Sequence, residues 1–420
     1  LILKNGPLGE IVSVGAEEAA IDGYLLPDGT PALPAAWGVI HIDNEGRISA
    51  EGVAVSLAAS STVHNRGRIE GGSAAIIANG NNNEVTFGRG SIVIGDIEAS
   101  AGTTGNKLIF DMGPSTSFIY QTTGPWELVD LNGRPVVKGS AMSAGIGNVE
   151  VADELMFERS KNLQFSLARL TDQQNAGSKD WLFDSYGSYT KRDSEGNTSR
   201  LELESSGLVV GTALDVFNDT AFAFINFDSS DADIGRGDQE ISAKSWRVGL
   251  SVPEFWSANG FSISGHALIG YNNYEGTRQV FVNQNTTTGV MSLDSEWNSI
   301  ELEVGTSLSH AHKLSPKLSL LSSAGLSAQI ENIDSYAEGS HFAWGDRNIV
   351  QGHGKLSVAL NYTPDDSSKL YAEVGAWNRN VWGGERADYN INGSSVSYSG
   401  GVSDDTISTL RLGAQYSISE

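Results

Sequence analysis

The side chains suited to metal binding or nucleophilic catalysis are few and scattered in this sequence. Cys is absent, so disulfides and thiolate metal sites are excluded. His310 and His312 are spaced so that both could bind one ion, but no third ligand lies near them in the sequence. His41 and His64 have no nucleophile motif beside them, and the Gly-x-Ser-x-Gly, His-Glu-x-x-His and P-loop motifs are missing. We therefore predict no enzymatic activity, no cofactor and no metal site.

Charge and hydropathy narrow the possible partners. The sequence has 51 acidic and 27 basic residues and a formal net charge of −24, which disfavours nucleic-acid binding. No stretch is apolar enough for a membrane-spanning helix, although a strand of a membrane barrel needs only about ten residues of alternating polarity. The first residues, LILKNGPLGEIVS, lack the features of a signal peptide. We expect the chain to be a mature or truncated form of an exported protein.

An internal repeat organises residues 1–138. The segment NEGRISAEGVAVSLA from Asn44 realigns with NRGRIEGGSAAIIA from Asn65 after a shift of 21 residues. A second shift aligns further pairs, namely Gly67 with Gly88, Arg68 with Arg89, and Ile76 with Ile97. Short β runs broken by Gly and Asn cannot bury an apolar face alone, whereas stacked rungs share one core. The pattern predicts a right-handed parallel β-helix, with a β-sandwich as the alternative. Its end is predicted to be capped by Trp126, Leu128 and Val129.

Residues 139–175 are predicted to form a linker and one helix. The segment GSAMSAGIGNVE is small and flexible, which is typical of a domain boundary. Apolar residues recur after it at spacings of three and four, which predicts a helix. Arg159, Lys161 and Arg169 make this helix basic within an acidic chain. Such a local reversal of charge suggests an acidic partner.

Residues 176–420 alternate strictly in polarity. Ile300, Leu302 and Val304, for example, alternate with Glu301 and Glu303. This period of two places one face of each strand against an apolar medium and the other against water. Because the apolar set is mixed with Ala and the opposite face is small or charged, the pattern favours lipid outside and a wet lumen inside. The predicted lumenal residues are Arg247, Glu301, Glu303, Glu373 and Arg411.

The connections between the predicted strands also favour a membrane barrel. Tight turns, as at Leu314–Pro316, alternate with long polar segments near 191–200, 230–243, 273–297, 331–350 and 380–405. Short turns at one side and long loops at the other are the asymmetry of outer-membrane barrels. Ten strands are visible, and a soluble β-sandwich remains the alternative. Aromatic residues near strand ends predict an interfacial girdle, namely Tyr271, Tyr274, Trp297, Tyr336, Trp344, Trp377 and Trp382.

The order of these parts resembles the monomeric autotransporters of type V secretion. GPWELVDLNGRPVV looks like the end of their autochaperone region, which places that region at about residues 85–138. KSWRVGLSV and LSPKLSL resemble their fourth strand and the periplasmic turn before the seventh. The resemblance implies a translocator that anchors and exports its own N-terminal part, from a bacterial outer membrane to the cell surface. The family norm is twelve strands, and two have no obvious counterpart between Glu338 and Val350.

The resemblance also implies partners and special positions. The partners are outer-membrane lipid and lipopolysaccharide, the barrel-assembly machinery and periplasmic chaperones, around a monomer. Gly413, Tyr416 and Ile418 match the closing assembly signal, with Ile418 in place of an aromatic residue. KNLQFSLARLTD is similar to a pore helix in which two consecutive Asn mark self-cleavage. Asn162 matches the second Asn, but Lys161 replaces the first, so we expect the helix to stay attached as a plug.

A surface adhesin that binds host receptors is the alternative function. Arg236-Gly237-Asp238, in a predicted external loop, resembles integrin ligands. The tripeptide has low specificity, because the loop is already rich in Gly and Asp.

Overall fold

A computed structural model describes residues 2–14, 19–22, 38–138, 140–175, 181–194, 198–216, 219–235, 238–365, 368–384, 386–399 and 405–416. The first part contains β1 (Ile2–Asn5), β2 (Glu10–Ser13), β3 (Ile21–Asp22), β4 (His41–Asn44), β5 (Arg47–Ala50), β6 (Val53–Leu57), β7 (Thr62–Asn65), β8 (Arg68–Ala78), β9 (Glu84–Gly88), β10 (Ile92–Ala99), β11 (Asn106–Asp111), β12 (Ser117–Tyr120), β13 (Thr122–Thr123), β14 (Trp126–Asp130) and β15 (Ala141–Ser143). Helix α1 (Gly147–Asn175) follows. The rest contains β16 (Trp181–Arg192), β17 (Leu201–Val216), β18 (Asp219–Ile234), β19 (Gln239–Ala258), β20 (Phe261–Val282), β21 (Val290–Ser315), β22 (Leu318–Ile333), β23 (Tyr336–Glu338), β24 (Phe342–Trp344), β25 (Arg347–Asp365), β26 (Ser368–Gly383), β27 (Arg386–Ile391), β28 (Ser394–Ser399) and β29 (Asp405–Tyr416).

The first part is the predicted parallel β-helix. Strands β1, β4, β7, β9, β11 and β14 form one parallel ladder, and β2, β5, β8, β10 and β13 form another. The 21-residue repeat is confirmed where Asn44 pairs with Asn65 and where Ile76 pairs with Ile97. It is wrong at the next corner, where Ile92 rather than Arg89 pairs with Arg68. The turn between β9 and β10 therefore contains extra residues that a fixed repeat length did not anticipate.

The β-helix is stabilised by an apolar column and by stacked amides inside it. Ile42, Val63, Val85 and Leu108 of successive rungs are all buried in one core. Near its end, the rings of Phe110 and Phe118 stack with centroids 4.2 Å apart. Strand β14 ends its ladder, with Trp126 buried in this core, Leu128 packed against it and Val129 half-buried.

Buried asparagines connect neighbouring rungs at one corner. The Asn44 side chain donates to Asn65 Oδ1 at 2.7 Å, and Asn65 donates to Ser91 Oγ at 2.5 Å. We expect Asn65→Ala to destabilise the β-helix by roughly 1–3 kcal/mol, because it leaves buried polar groups without partners. Urea unfolding of the β-helix measures this loss. His64→Ala, at the exposed neighbouring residue, is the control and should shift the urea midpoint of unfolding little. Equal shifts of the midpoint in both variants would contradict the prediction.

The second part is an antiparallel barrel wall of ten described strands. Strands β16 to β22, β25, β26 and β29 pair with their neighbours in chain order. The sheet curves around α1, because the helix contacts Asp184 of β16, Glu301 of β21 and Arg347 of β25. At about 1.5 Å per residue, this helix is long enough to span the hydrocarbon core of a bilayer. The two additional strands of the family norm are not found among the described residues.

The polarity of the wall is inverted relative to a water-soluble protein. Outward residues such as Ile300, Leu302 and Trp246 are half or more exposed. The residues between them, such as Glu301 and Glu303, are completely buried. An exposed apolar band around a polar interior is the arrangement of a membrane barrel. No helix among the described residues is long and apolar enough to cross a membrane.

Two segments that connect wall strands pair with each other instead of forming further wall strands. Strands β23 and β24 lie between β22 and β25, β27 and β28 lie between β26 and β29, and the four form one separate sheet. We call it the mouth sheet.

The predicted aromatic girdle is wrong in part. Tyr274, Trp297, Trp344 and Trp377 are buried inside the protein, and Tyr336 is half-buried against the core, whereas Tyr271 and Trp382 are exposed as expected.

Candidate functional site

Helix α1 fills the lumen, although much of its surface is charged. Glu150, Asp153, Glu158 and Arg159 are all buried within the barrel. A buried charge destabilises a protein by several kcal/mol unless it is paired. The wall must therefore supply counter-charges, and the positions of those charges fix how the helix sits.

The middle of the helix is bound by a cluster of four charged side chains. The Arg159 guanidinium donates to Glu301 at 3.2 Å and to Glu331 at 2.7 Å. Arg247 of the wall pairs with Glu301 at 2.7 Å and donates to the Arg159 carbonyl at 3.1 Å. The Tyr274 hydroxyl accepts from Arg159 and donates to Glu331. Two buried arginines thus balance two buried carboxylates in one network.

Glu303 contacts the helix through neutral groups. Its Oε1 accepts from the Ser160 hydroxyl at 2.7 Å and from the Gln164 amide at 3.2 Å. His266 Nε2 lies 3.0 Å from the same oxygen. The Ser160 hydroxyl also lies 3.3 Å from His353 Nδ1. This second polar cluster binds the helix at Ser160, the residue after Arg159, and at Gln164.

The N-terminal half of the helix is acidic and faces arginines of the wall. Asp153 accepts two hydrogen bonds from Arg347, at 2.7 and 2.8 Å. Glu154 pairs with Arg379 at 2.9 Å and also with Arg192. The helix is therefore not simply basic, as the sequence had suggested: its two halves carry opposite charge. The alternation of β25 and β26 could have placed Arg347 and Arg379 in the lumen, but the sequence prediction did not include them.

In the C-terminal half, contacts between helix and wall involve Arg169 and Arg411, whereas Lys161 pairs within the helix and Glu373 within the wall. Arg169 donates to Asp184 of β16 at 2.8 Å. Lys161 pairs with Glu158 on the helix itself rather than with the wall. Glu373 pairs with Lys355 of the adjacent strand at 3.1 Å. Arg411 lies over the ring of Phe165, so this wall cation contacts an aromatic face of the helix.

The Autotransporter beta-domain family matches residues 182–420. The chain belongs to the autotransporter family. Three solved autotransporter structures are similar to it. The translocator domain of NalP from Neisseria meningitidis is 14% identical, covers 65% of this chain and 100% of its own, and has a TM-score of 0.43. The beta domain of Bordetella BrkA is 13% identical, covers 56% of this chain and 98% of its own length, and has a TM-score of 0.37. The transport unit of AIDA-I from Escherichia coli is 12% identical, covers 60% of this chain and 98% of its own length, and has a TM-score of 0.34. No curated protein matches this chain significantly.

The autotransporter match makes the wall, with its ten described strands, an outer-membrane translocator, and the translocator domain is not an enzyme family. Within the part of the chain that the structure describes, no group of three or more His, Cys, Asp or Glu could hold a metal ion. Asn162 lies inside the continuous helix, and its amide donates to Ser188 Oγ at 2.9 Å. The backbone of Gly413 and Tyr416 belongs to β29, the last wall strand. Ile418 lies outside the described residues.

The β-helix of the autotransporter contacts one end of its barrel. Ser117–Ile119 of β12 pair in parallel with Val280–Val282 of β20, so a strand of the first part extends the wall sheet. Beyond this pair, the buried Asn283 amide donates to the carbonyls of Gly95 and Gln121 at 3.0 and 2.9 Å. The two parts are therefore joined by a continuous hydrogen-bonded junction.

Asp238 is part of this junction and makes it sensitive to pH. Burial raises the pKa of its carboxyl above the usual value of about 3.9, although hydrogen bonds from Ser115 and Thr116 oppose the rise. A raised folded-state pKa favours the protonated docked form, so this contribution is full below about pH 3.9 and is lost as the pH rises through the raised value. We expect Asp238→Asn to flatten the pH dependence of the β-helix melting temperature above that pH. Asp231→Asn, at an exposed site on β18, is the control and should leave the dependence unchanged; no difference between the two variants would contradict the prediction.

Proposed function

We propose that the barrel exports residues 1–138 through its lumen to the cell surface and is then plugged by α1. The observation that supports this most strongly is the position of the helix. It lies inside the wall with buried ion pairs along its length, and its N-terminal end leads into the β-helix at one mouth. A chain that entered the lumen from the other side and stopped at α1 would have this arrangement.

The orientation in the outer membrane is part of the proposal. The mouth that meets the β-helix also has the mouth sheet, which is built from long connections. In outer-membrane barrels the longer loops face the exterior, so we place this mouth and the N-terminal part outside the cell. We further propose that the protein is a monomer in lipid and lipopolysaccharide. Periplasmic chaperones would deliver it, and the barrel-assembly machinery would read Gly413, Tyr416 and Ile418 in its last strand.

Surface exposure of the β-helix on intact cells tests the export proposal. An epitope placed after Gly102, an exposed turn of the β-helix, should be reached by antibody without permeabilising the outer membrane. A periplasmic protein tagged with the same epitope is the control and should be reached only after permeabilisation. If the Gly102 epitope also requires permeabilisation, the proposed orientation and export are wrong.

The adhesin alternative receives less support from the geometry. Arg236 and Gly237 lie outside the described residues. The Asp238 carboxylate accepts hydrogen bonds from Ser115 and Thr116 at 3.1 and 3.2 Å, so it is engaged within the protein. Export followed by plugging is therefore the function that we propose.

A further inference from the structure

The mouth sheet joins two loops that are distant in sequence. Its two halves meet where β24 pairs with β27, with Phe342 opposite Ile391, Ala343 opposite Asn390, and Trp344 opposite Tyr389. Each half is connected to a different pair of wall strands. Because β25 and β26 are neighbours in the wall, the β24–β27 pairing joins two adjacent loops at the mouth of the barrel.

The core beneath the mouth sheet includes the segment that enters the lumen. One buried apolar cluster contains Phe342, Trp344 and Ile391 of the sheet together with Ile146 and Val149 at the start of the helix. The other buried members are Ile119, Met142, Ala144, Val280, Leu293, Ala387, Tyr389 and Tyr398. Strands of three to six residues are marginal without a packed face, so the mouth sheet depends on this shared core.

Polar contacts also connect the mouth sheet to the same segment. Arg278 of β20 donates to the Gly145 carbonyl at 2.6 Å and to Glu338 of β23 at 3.1 Å. Both side chains are almost completely buried. Arg347 donates to the Val149 carbonyl at 3.0 Å and to the Gly384 carbonyl at 2.7 Å. Each arginine thus contacts the entering segment and an external loop at the same time.

We propose that the mouth sheet is a gate, which stays open while the chain passes and closes only on residues 141–149. This proposal rests on the export function proposed above. The closed core is shaped by small and apolar side chains at Ala144 and Ile146, and a Cβ added at Gly145 would lie 1.9 Å from the Ser115 carbonyl oxygen. A passing segment that contains Asp111 or Arg89 would place an unpaired charge in that apolar core, which strongly disfavours closure. The β24–β27 pairing therefore forms after residues 1–138 have left the lumen, and it seals the outer end above the helix.

Disulfide trapping can follow the gate in living cells, because the chain has no Cys of its own. Paired residues of neighbouring strands have the Cα separation that a disulfide needs. The gate pair is Ala343→Cys with Asn390→Cys, which joins the two loops. The control pair is Asn390→Cys with Ser395→Cys, which joins the two strands of one hairpin. All three side chains are exposed, so neither pair disturbs the core.

A pulse–chase experiment compares when each disulfide forms with when the β-helix becomes accessible to external protease. The control disulfide should form irrespective of passage. The gate disulfide should form only after the β-helix is exposed. If added oxidant forces the gate disulfide to form earlier, surface exposure of the β-helix should fall severalfold until a reductant is added. Complete gate disulfides before exposure, followed by normal export, would overturn the gate. Failure of the control variant to expose its β-helix would instead count against the export function itself.

A second variant tests whether the entering segment closes the gate. Ala144→Arg places a charge in the shared core, whereas Asn148→Ala removes only the amide that contacts Tyr336. In the purified protein carrying the gate pair, Ala144→Arg should slow disulfide formation severalfold, and Asn148→Ala should have a much smaller effect. The control pair should react equally in all backgrounds, which shows that the hairpin has folded. Unchanged gate-pair formation in Ala144→Arg would overturn the dependence on this segment.

Discussion

Replacing both Glu301 and Glu331 with Gln should release the middle of the plug and open the pore to ions. The double variant leaves Arg159 and Arg247 buried without a carboxylate partner. Removing one partner from a buried ion pair typically costs about 3–5 kcal/mol, because the remaining charge is neither solvated nor paired. The loss falls on the contact between helix and wall, so the helix should leave the lumen for part of the time. We expect higher conductance in planar bilayers and a lower unfolding temperature on heat-modifiability gels.

Glu275→Gln is the matched control for this effect. Glu275 lies on β20, is exposed and has Lys244 at 3.9 Å as its ion-pair partner. Because exposed ion pairs contribute about 0–1 kcal/mol, this variant should behave like the unaltered protein. If the Glu301 and Glu331 double variant also kept the original conductance and unfolding temperature, the buried network could not be what holds the helix.

The strands could be predicted because membrane strands have a strong local pattern. Lipid on one face and polar groups on the other impose a period of two over many residues, as along Ile300, Glu301 and Leu302. The β-helix could be predicted because its rungs repeat the same corner residues, such as Asn44 and Asn65. Both signals are local in sequence, so both can be recognised without knowledge of the tertiary contacts.

The mouth sheet and the ion-pair partners could not be predicted in the same way. β23 and β24 have three residues each, which is too short for alternation to be distinguished from chance. The pairing of Asp153 with Arg347 joins residues 194 positions apart, and it depends on the depth and rotation of α1 in the lumen. One signal was nevertheless present. Acidic residues precede position 159 in the helix and basic residues begin there, so the split in charge could have predicted two different partners on the wall.

The opposite charges of the two halves of the helix lead to a second prediction with a large effect, which concerns the acidic N-terminal half. Arg347→Asp should detach this half, because it places a second carboxylate beside buried Asp153 and removes donors to the carbonyls of Val149 and Gly384. The expected loss is again roughly 3–5 kcal/mol of stability. Adding Asp153→Arg to the same chain restores opposite charges and should recover part of the loss. The coupling energy from this double-mutant cycle, measured by thermal unfolding, isolates the pair from the other contacts of either residue.

The exposed pair Arg386 and Asp388 provides the matched cycle, because its ion pair has similar length, 2.8 Å, but lies in solvent. Exchanging these two charges should give almost no coupling. A large coupling energy at 153 and 347, with little at 386 and 388, would show that buried charges position the helix.

The same coupling would also explain how deep the helix lies in the lumen. Moving α1 inward by one turn, about 5.4 Å, would bring its acidic half towards Glu301 and Glu331. Like charges would then oppose each other at buried positions, so the same side chains that hold the plug also stop it from sliding. Equal coupling in the two cycles would leave the depth of the helix to be set by the mouth sheet above it.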